Sequence, residues 1–121
     1  MMNLLSKQCE PCEGGVAPLD TERVEGYLKL VNPHTSRGVG VKGWEAIEKN
    51  TKIRKEFVFK DFAEAMRFVN KVAEVAEAEN HHPDIHVHYR RVILELWTHA
   101  IGGLSENDFI VAAKADAINQ K

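Results

Sequence analysis

Apolar and polar positions change period several times along the chain, and each change marks an element. In residues 19–31, LDTERVEGYLKLV, Val24, Tyr27, Leu28 and Val31 recur at threes and fours, which predicts a helix capped by Asp20 or Thr21. NPHTSRGVGVKG then interrupts the pattern with Pro33, Gly38, Gly40 and Gly43 and reads as a loop. WEAIEKNTKIRKEFVFK predicts two strands joined near Asn50, with Ile53, Phe57 and Phe59 on one parity and Arg54, Glu56 and Lys60 on the other.

The period changes again in DFAEAMRFVNKVAEVAEAEN, where Phe62, Ala65, Met66, Val69, Val72, Ala73 and Ala76 repeat at helical spacing. Asp61 and Glu64 resemble a capping box at its start, and Pro83 predicts an end near Asn80. Ile85, Val87 and Tyr89 then alternate on odd numbers, while Val92, Leu94 and Leu96 alternate on even ones. That switch predicts a hairpin turning near Arg90. After Gly102–Gly103, LSENDFIVAAKADAINQ predicts a last helix with Ser105 as cap, Asp108 at its third position and a Leu104–Phe109 staple. The expectation is an α+β domain in the order α-β-β-α-β-β-α, a four-stranded antiparallel sheet with three helices on one face. Residues 1–18 are expected to be an irregular N-terminal arm and residues 19–121 a single domain.

A chain of 121 residues with 44% hydrophobic residues can build one core. A net charge of −2 and the lack of a long basic cluster argue against a nucleic-acid partner. The apolar runs are too short to cross a bilayer, and MMNLLSKQ does not resemble a secretory signal, so a soluble, cytoplasmic protein is expected. Cys9 and Cys12 form a single C-x-x-C in the arm. With no second ligand pair to complete a zinc site, they are expected to be inert.

The chemistry concentrates in ENHHPDIHVHYRR, which holds His81, His82, His86 and His88 out of six histidines in the chain. A hairpin centred on Arg90 pairs residues whose numbers sum to about 180, which would bring His81 towards His99 of WTHAIGG. Imidazoles titrating near neutrality suit general acid–base work. His86 and His88 share a strand face and could chelate a metal, but no familiar metal signature is complete, and solvent-facing polarity is the preferred explanation. His34, alone in a loop, reads as surface. Capping explains Ser105 and Asp108, and Trp44 and Trp97 read as core or rim aromatics.

Taken together, Glu77-x-x-x-His81-His82-Pro83, Tyr89, Thr98-His99 and Gly102-Gly103-Leu104-Ser105-x-x-Asp108 resemble pterin-4a-carbinolamine dehydratases, known also as the dimerization cofactors of certain homeodomain transcription factors. Gly43-Trp44, the stretch from Phe57 to Ala65 and CEPCEGG agree, so the resemblance spans about the whole chain. Two positions depart from it: Arg90 stands where members commonly carry Asn, and Ala100 where many carry an acidic residue.

The resemblance implies dehydration of 4a-hydroxytetrahydropterin to quinonoid dihydropterin, a step in recycling a tetrahydrobiopterin-type cofactor. It implies His81 and His99 as proton-transfer residues and His82 as a pterin-binding residue that shares acid–base duty. Glu77 and Asp108 would support the site. No metal and no organic cofactor is implied, because the carbinolamine nitrogen drives the elimination itself. A homodimer or homotetramer is expected. The alternative is a non-catalytic protein-binding or dimerization cofactor.

Overall fold

The computed structural model describes residues 4–9, 17–32 and 43–119. Its elements are α1 (Thr21–Val31), β1 (Glu45–Ile47), β2 (Lys52–Val58), α2 (Phe62–Glu79), β3 (Asp84–His88), β4 (Arg91–Leu96) and α3 (Glu106–Asn119). Short 3₁₀ turns at Leu4–Ser6 and His99–Ile101 complete the list. The four strands form one antiparallel sheet in the order β1-β2-β4-β3. This is the α+β order the sequence predicts. The loop 33–42, with His34, and Cys12 lie outside the described residues.

Strand alternation decides which sheet face is covered. Ile53 stands opposite Leu96, Lys55 opposite Leu94 and Phe57 opposite Val92, and the apolar members of this face are buried beneath the helices. β4 is central and carries four buried residues, whereas the edge strand β3 has none. The other face holds charges in cross-strand rows, such as Glu45, Arg54, Glu95 and Asp84. On it His86 is exposed, 3.7 Å from Glu95, and His88 is exposed too.

α1 and α2 both pack on α3, which buries seven residues, six of them the consecutive run Asn107–Ala112. Asp116 of α3 accepts from Trp44 Nε1 at 2.9 Å and from Lys55 Nζ at 2.6 Å, which satisfies the two polar groups that the inner sheet face brings under the helix. Asn32 clasps the Trp44 backbone from the end of α1 with two hydrogen bonds of 2.7 Å.

Two expectations need correction. The buried stripe of α2 is Ala65, Phe68, Val72 and Ala76, while Phe62 is 49% exposed and Ala73 is exposed. Periodicity finds a helix but leaves its rotation open by one residue, and here Phe68 fixes it by packing on Phe57 and Phe59 with ring centroids 4.7 and 5.0 Å apart. The hairpin closes with His88 opposite Arg91, so Tyr89 and Arg90 are the turn, and the ladder stops at Asp84 opposite Glu95. His81 and His99 are therefore not cross-strand partners. Of the arm's described residues, Leu4 is buried in the main core and the Leu4–Ser6 turn packs on α3.

α2 begins at Asp61, whose carboxylate accepts from Glu64 N–H at 2.8 Å. Replacing Asp61 by Ala removes that cap and is expected to cost about 1 kcal/mol. The melting temperature should fall by about 4 °C. A thermal melt followed by circular dichroism measures it.

Candidate active site

Three chain segments deliver the histidines of the motif to one place. α2 ends at Asn80 in the left-handed conformation (φ 53°), and the N–H groups of Asn80 and His81 both turn back onto the Ala76 carbonyl. Asn tolerates that conformation better than most residues, and Pro83 prevents the helix from resuming. His81 and His82 thus sit on a fixed exit from the helix.

The second segment follows β4. Thr98 and Gly103 form a β-bridge, with Thr98 N–H donating to the Gly103 carbonyl at 2.8 Å, and the His99–Ile101 turn closes between them. Both glycines are required here. Gly102 has φ 67°, and a Cβ on Gly103 would stand 2.8 Å from Pro18 Cβ. This knot holds His99 in position, its ring tilted by 34° against Trp97 with centroids 3.8 Å apart.

The third segment is the start of α3. Asp108 is wholly buried and accepts from the Ser105 N–H at 3.0 Å and from the Thr98 hydroxyl at 2.8 Å. Its other oxygen meets His81 Nε2 at 2.6 Å. The capping role that the sequence assigns to Asp108 is present, and the same carboxylate also orients His81. With Asp108 as a carboxylate, the proton of this contact belongs to Nε2, which leaves Nδ1 as the second functional nitrogen of the ring. His82 Nε2 lies 2.5 Å from Glu77 Oε2, one turn back on α2, in an exposed pair.

His81, His82 and His99 line one open cavity of about 420 Å³ together with Trp97, Thr98 and Asn80, a volume that accommodates a bicyclic ligand. Asp108 and Glu77 stand behind the histidines and are not part of its lining. Among the described residues, no group of three or more His, Cys, Asp or Glu is arranged to hold a metal ion. Nor is any helix among them long and apolar enough to cross a membrane.

The model of the family described as "Pterin 4 alpha carbinolamine dehydratase" matches residues 17–118. The chain belongs to this family. Provisionally named pterin-4-alpha-carbinolamine dehydratases resemble it over nearly their whole length. One from Nitrosospira multiformis is 46% identical, covering 98% of this chain and 94% of the relative. One from Rubrobacter xylanophilus is 41% identical, covering 98% and 100%. Among solved structures, a transcriptional coactivator/pterin dehydratase from Brucella melitensis superposes with TM-score 0.72 at 31% identity, covering 84% of this chain and 97% of that one. A pterin dehydratase-like protein identified as a RuBisCO assembly factor in the α-carboxysome aligns with TM-score 0.55 at 25% identity, covering 62% and 87%.

Two residues on the cavity of this family member have no site role in the sequence reading. Glu79, whose side chain is 10% exposed, bonds Lys114 Nζ at 2.6 Å and the Cys9 backbone N–H at 2.7 Å. Burial alone would raise its carboxyl, but Lys114 and the Cys9 N–H outweigh that and hold it below the ordinary range. Cys9 comes from the arm, its Sγ 3.7 Å from the Asn107 carbonyl. Burial first, then the charge and hydrogen bonding of Glu79, push the thiol up to about 12. The arm is anchored again at Glu106, which takes Lys7 Nζ at 2.9 Å and the Tyr27 hydroxyl at 2.8 Å. In the sequence, the C-x-x-C is expected to be inert, and nothing local links Cys9 to a residue seventy positions away.

A thiol with so high a pKa is not a nucleophile near neutrality. Cys9 is therefore expected to resist alkylation by iodoacetamide at pH 8 in the folded protein and to react at least about tenfold faster, an order-of-magnitude figure, in guanidinium chloride. Peptide mapping by mass spectrometry reads Cys9 separately from Cys12.

Proposed function

We propose that the protein dehydrates 4a-hydroxytetrahydropterin to quinonoid dihydropterin by histidine general acid–base catalysis, in recycling a tetrahydrobiopterin-type cofactor. One observation carries this reading: His81, held by the buried Asp108, shares a cavity with His82 and His99 in a chain of the dehydratase family. In the reaction the C4a–O bond breaks, C4a=N5 forms, and water leaves. One imidazole gives a proton to the departing hydroxyl and another takes the N5 proton. His81 and His99 fill these two roles. His82, paired with Glu77, orients the pterin and shares the proton traffic. The nitrogen lone pair supplies the electrons, so the residues need only move protons and hold the ring.

In this reading residues 19–121 work as one domain with 1–18 as its arm, in the cytoplasm. The edge strands β1 and β3 suit assembly into a homodimer or homotetramer. A second reading, a non-catalytic protein-binding or dimerization cofactor, draws support from the two structural neighbours, one a transcriptional coactivator/pterin dehydratase and the other an assembly factor. Three histidines gathered on one cavity favour the enzyme.

Stopped-flow absorbance of 4a-hydroxytetrahydropterin decay separates the two readings. The wild type is expected to accelerate decay, and His81→Ala or His99→Ala, folded by circular dichroism, to lose about 10²–10⁴-fold of it. Asp108→Asn should lose much of the His81 contribution through the wrong tautomer. A folded wild type that leaves the spontaneous rate unchanged would turn the reading to protein binding.

A further inference from the structure

The geometry points to Glu79 as the residue that recognises the pyrimidine edge of the pterin, accepting hydrogen bonds from its 2-amino group and N3–H. The assignment rests on the dehydratase reading and names how that site selects its ring.

Glu79 closes α2 two residues before His81, and it is the one carboxylate among the described residues that line the cavity of the three histidines. Asp108 is buried behind them, with its oxygens used by His81, Thr98 and Ser105. Glu77 is 78% exposed and holds His82. Cys9 N–H donates to Oε1 and Lys114 Nζ to Oε2, and the Cys9 thiol, a weak donor, also hydrogen-bonds the carboxylate. A carboxylate has about four acceptor positions, so one stays open beside these donors and a second opens when the weak thiol contact yields to the ligand.

A 2-amino-4-oxopteridine presents two N–H donors side by side, and a carboxylate offers two acceptors at matching separation. Such charge-assisted bidentate pairs are stronger and more selective than neutral ones. Lys114 keeps Glu79 ionised, so it stays an acceptor on both oxygens, and the backbone of Cys9 fixes the plane of the carboxylate from the arm side. This also gives the docked arm a purpose: it aims a carboxylate into the pocket. A 2-oxo ring would instead set its oxygen against that charge.

The test compares binding of 6-methyl-7,8-dihydropterin with 6-methyl-7,8-dihydrolumazine, in which an oxygen replaces the 2-amino group, by fluorescence titration at pH 7. The wild type is expected to prefer the pterin by at least about tenfold, as sites built around a substrate N–H do. The variant is E79Q/K114Q, which removes both charges together and so strands no buried ammonium, while the amide introduced at position 79 can still accept from the Cys9 N–H. It should narrow the preference to about threefold or less, since an amide pairs with either ring.

If Glu79 only holds the arm, both ligands weaken together and the preference persists, which overturns the assignment. A crystal structure of the wild-type complex decides the point without a variant: it either puts the 2-amino group and N3 on Glu79 or puts that edge elsewhere. If the wild type binds neither ligand and does not accelerate carbinolamine decay, the dehydratase reading itself falls. If it accelerates decay while the variant keeps the preference, only the role of Glu79 falls.

Discussion

The site depends on a single buried carboxylate. Asp108 has no exposed surface, and a charge in that position persists only if every lone pair that matters is met by a donor. Its donors come from three parts of the chain: Thr98 after the central strand, Ser105 at the start of the last helix and His81 at the exit of the long one. Satisfying Asp108 therefore draws β4, α3 and α2 to one point. Displacing any one of them would leave a buried charge short of a donor, so the requirement for internal solvation also assembles the pocket.

The same economy appears at the neighbouring carboxylate. Glu79 ties α2 to α3 through Lys114 and to the arm through Cys9, while Glu106 ties the arm to α3 and to α1 through Lys7 and Tyr27. These are partly buried contacts at the rim of the core. They give a segment of low regularity a defined place beside the histidines. Stability and chemistry are served by the same bonds, as expected where a pocket is cut into the junction of several elements.

The edge of the fold is less constrained. The outer sheet face carries paired charges, and His86 and His88 belong to it. Their place on the outer face of β3 separates them from the histidines that converge, although all four stand within one short stretch of sequence. Chain proximity was misleading here because a strand alternates its faces and the helix exit does not follow that alternation.

Local rules were sufficient for much of this protein. The apolar periods, the caps at Asp20 and Asp61, the bond from Ser105 N–H to Asp108, the stop before Pro83 and the parity switch at the hairpin depend on neighbours within a turn or a strand, so the α-β-β-α-β-β-α order could be read directly. The joint spacing of Glu77, the His81–His82 pair, His99 and Asp108 carried the family. Tertiary structure alone decided the rotation of α2, which Phe68 sets by packing on Phe57 and Phe59, and the burial of Leu4. It also decided that Cys9, Glu79 and Lys114 meet. Those three are separated by long stretches of chain, and a hydrogen bond across such distances leaves no period, cap or turn for a linear reading to detect.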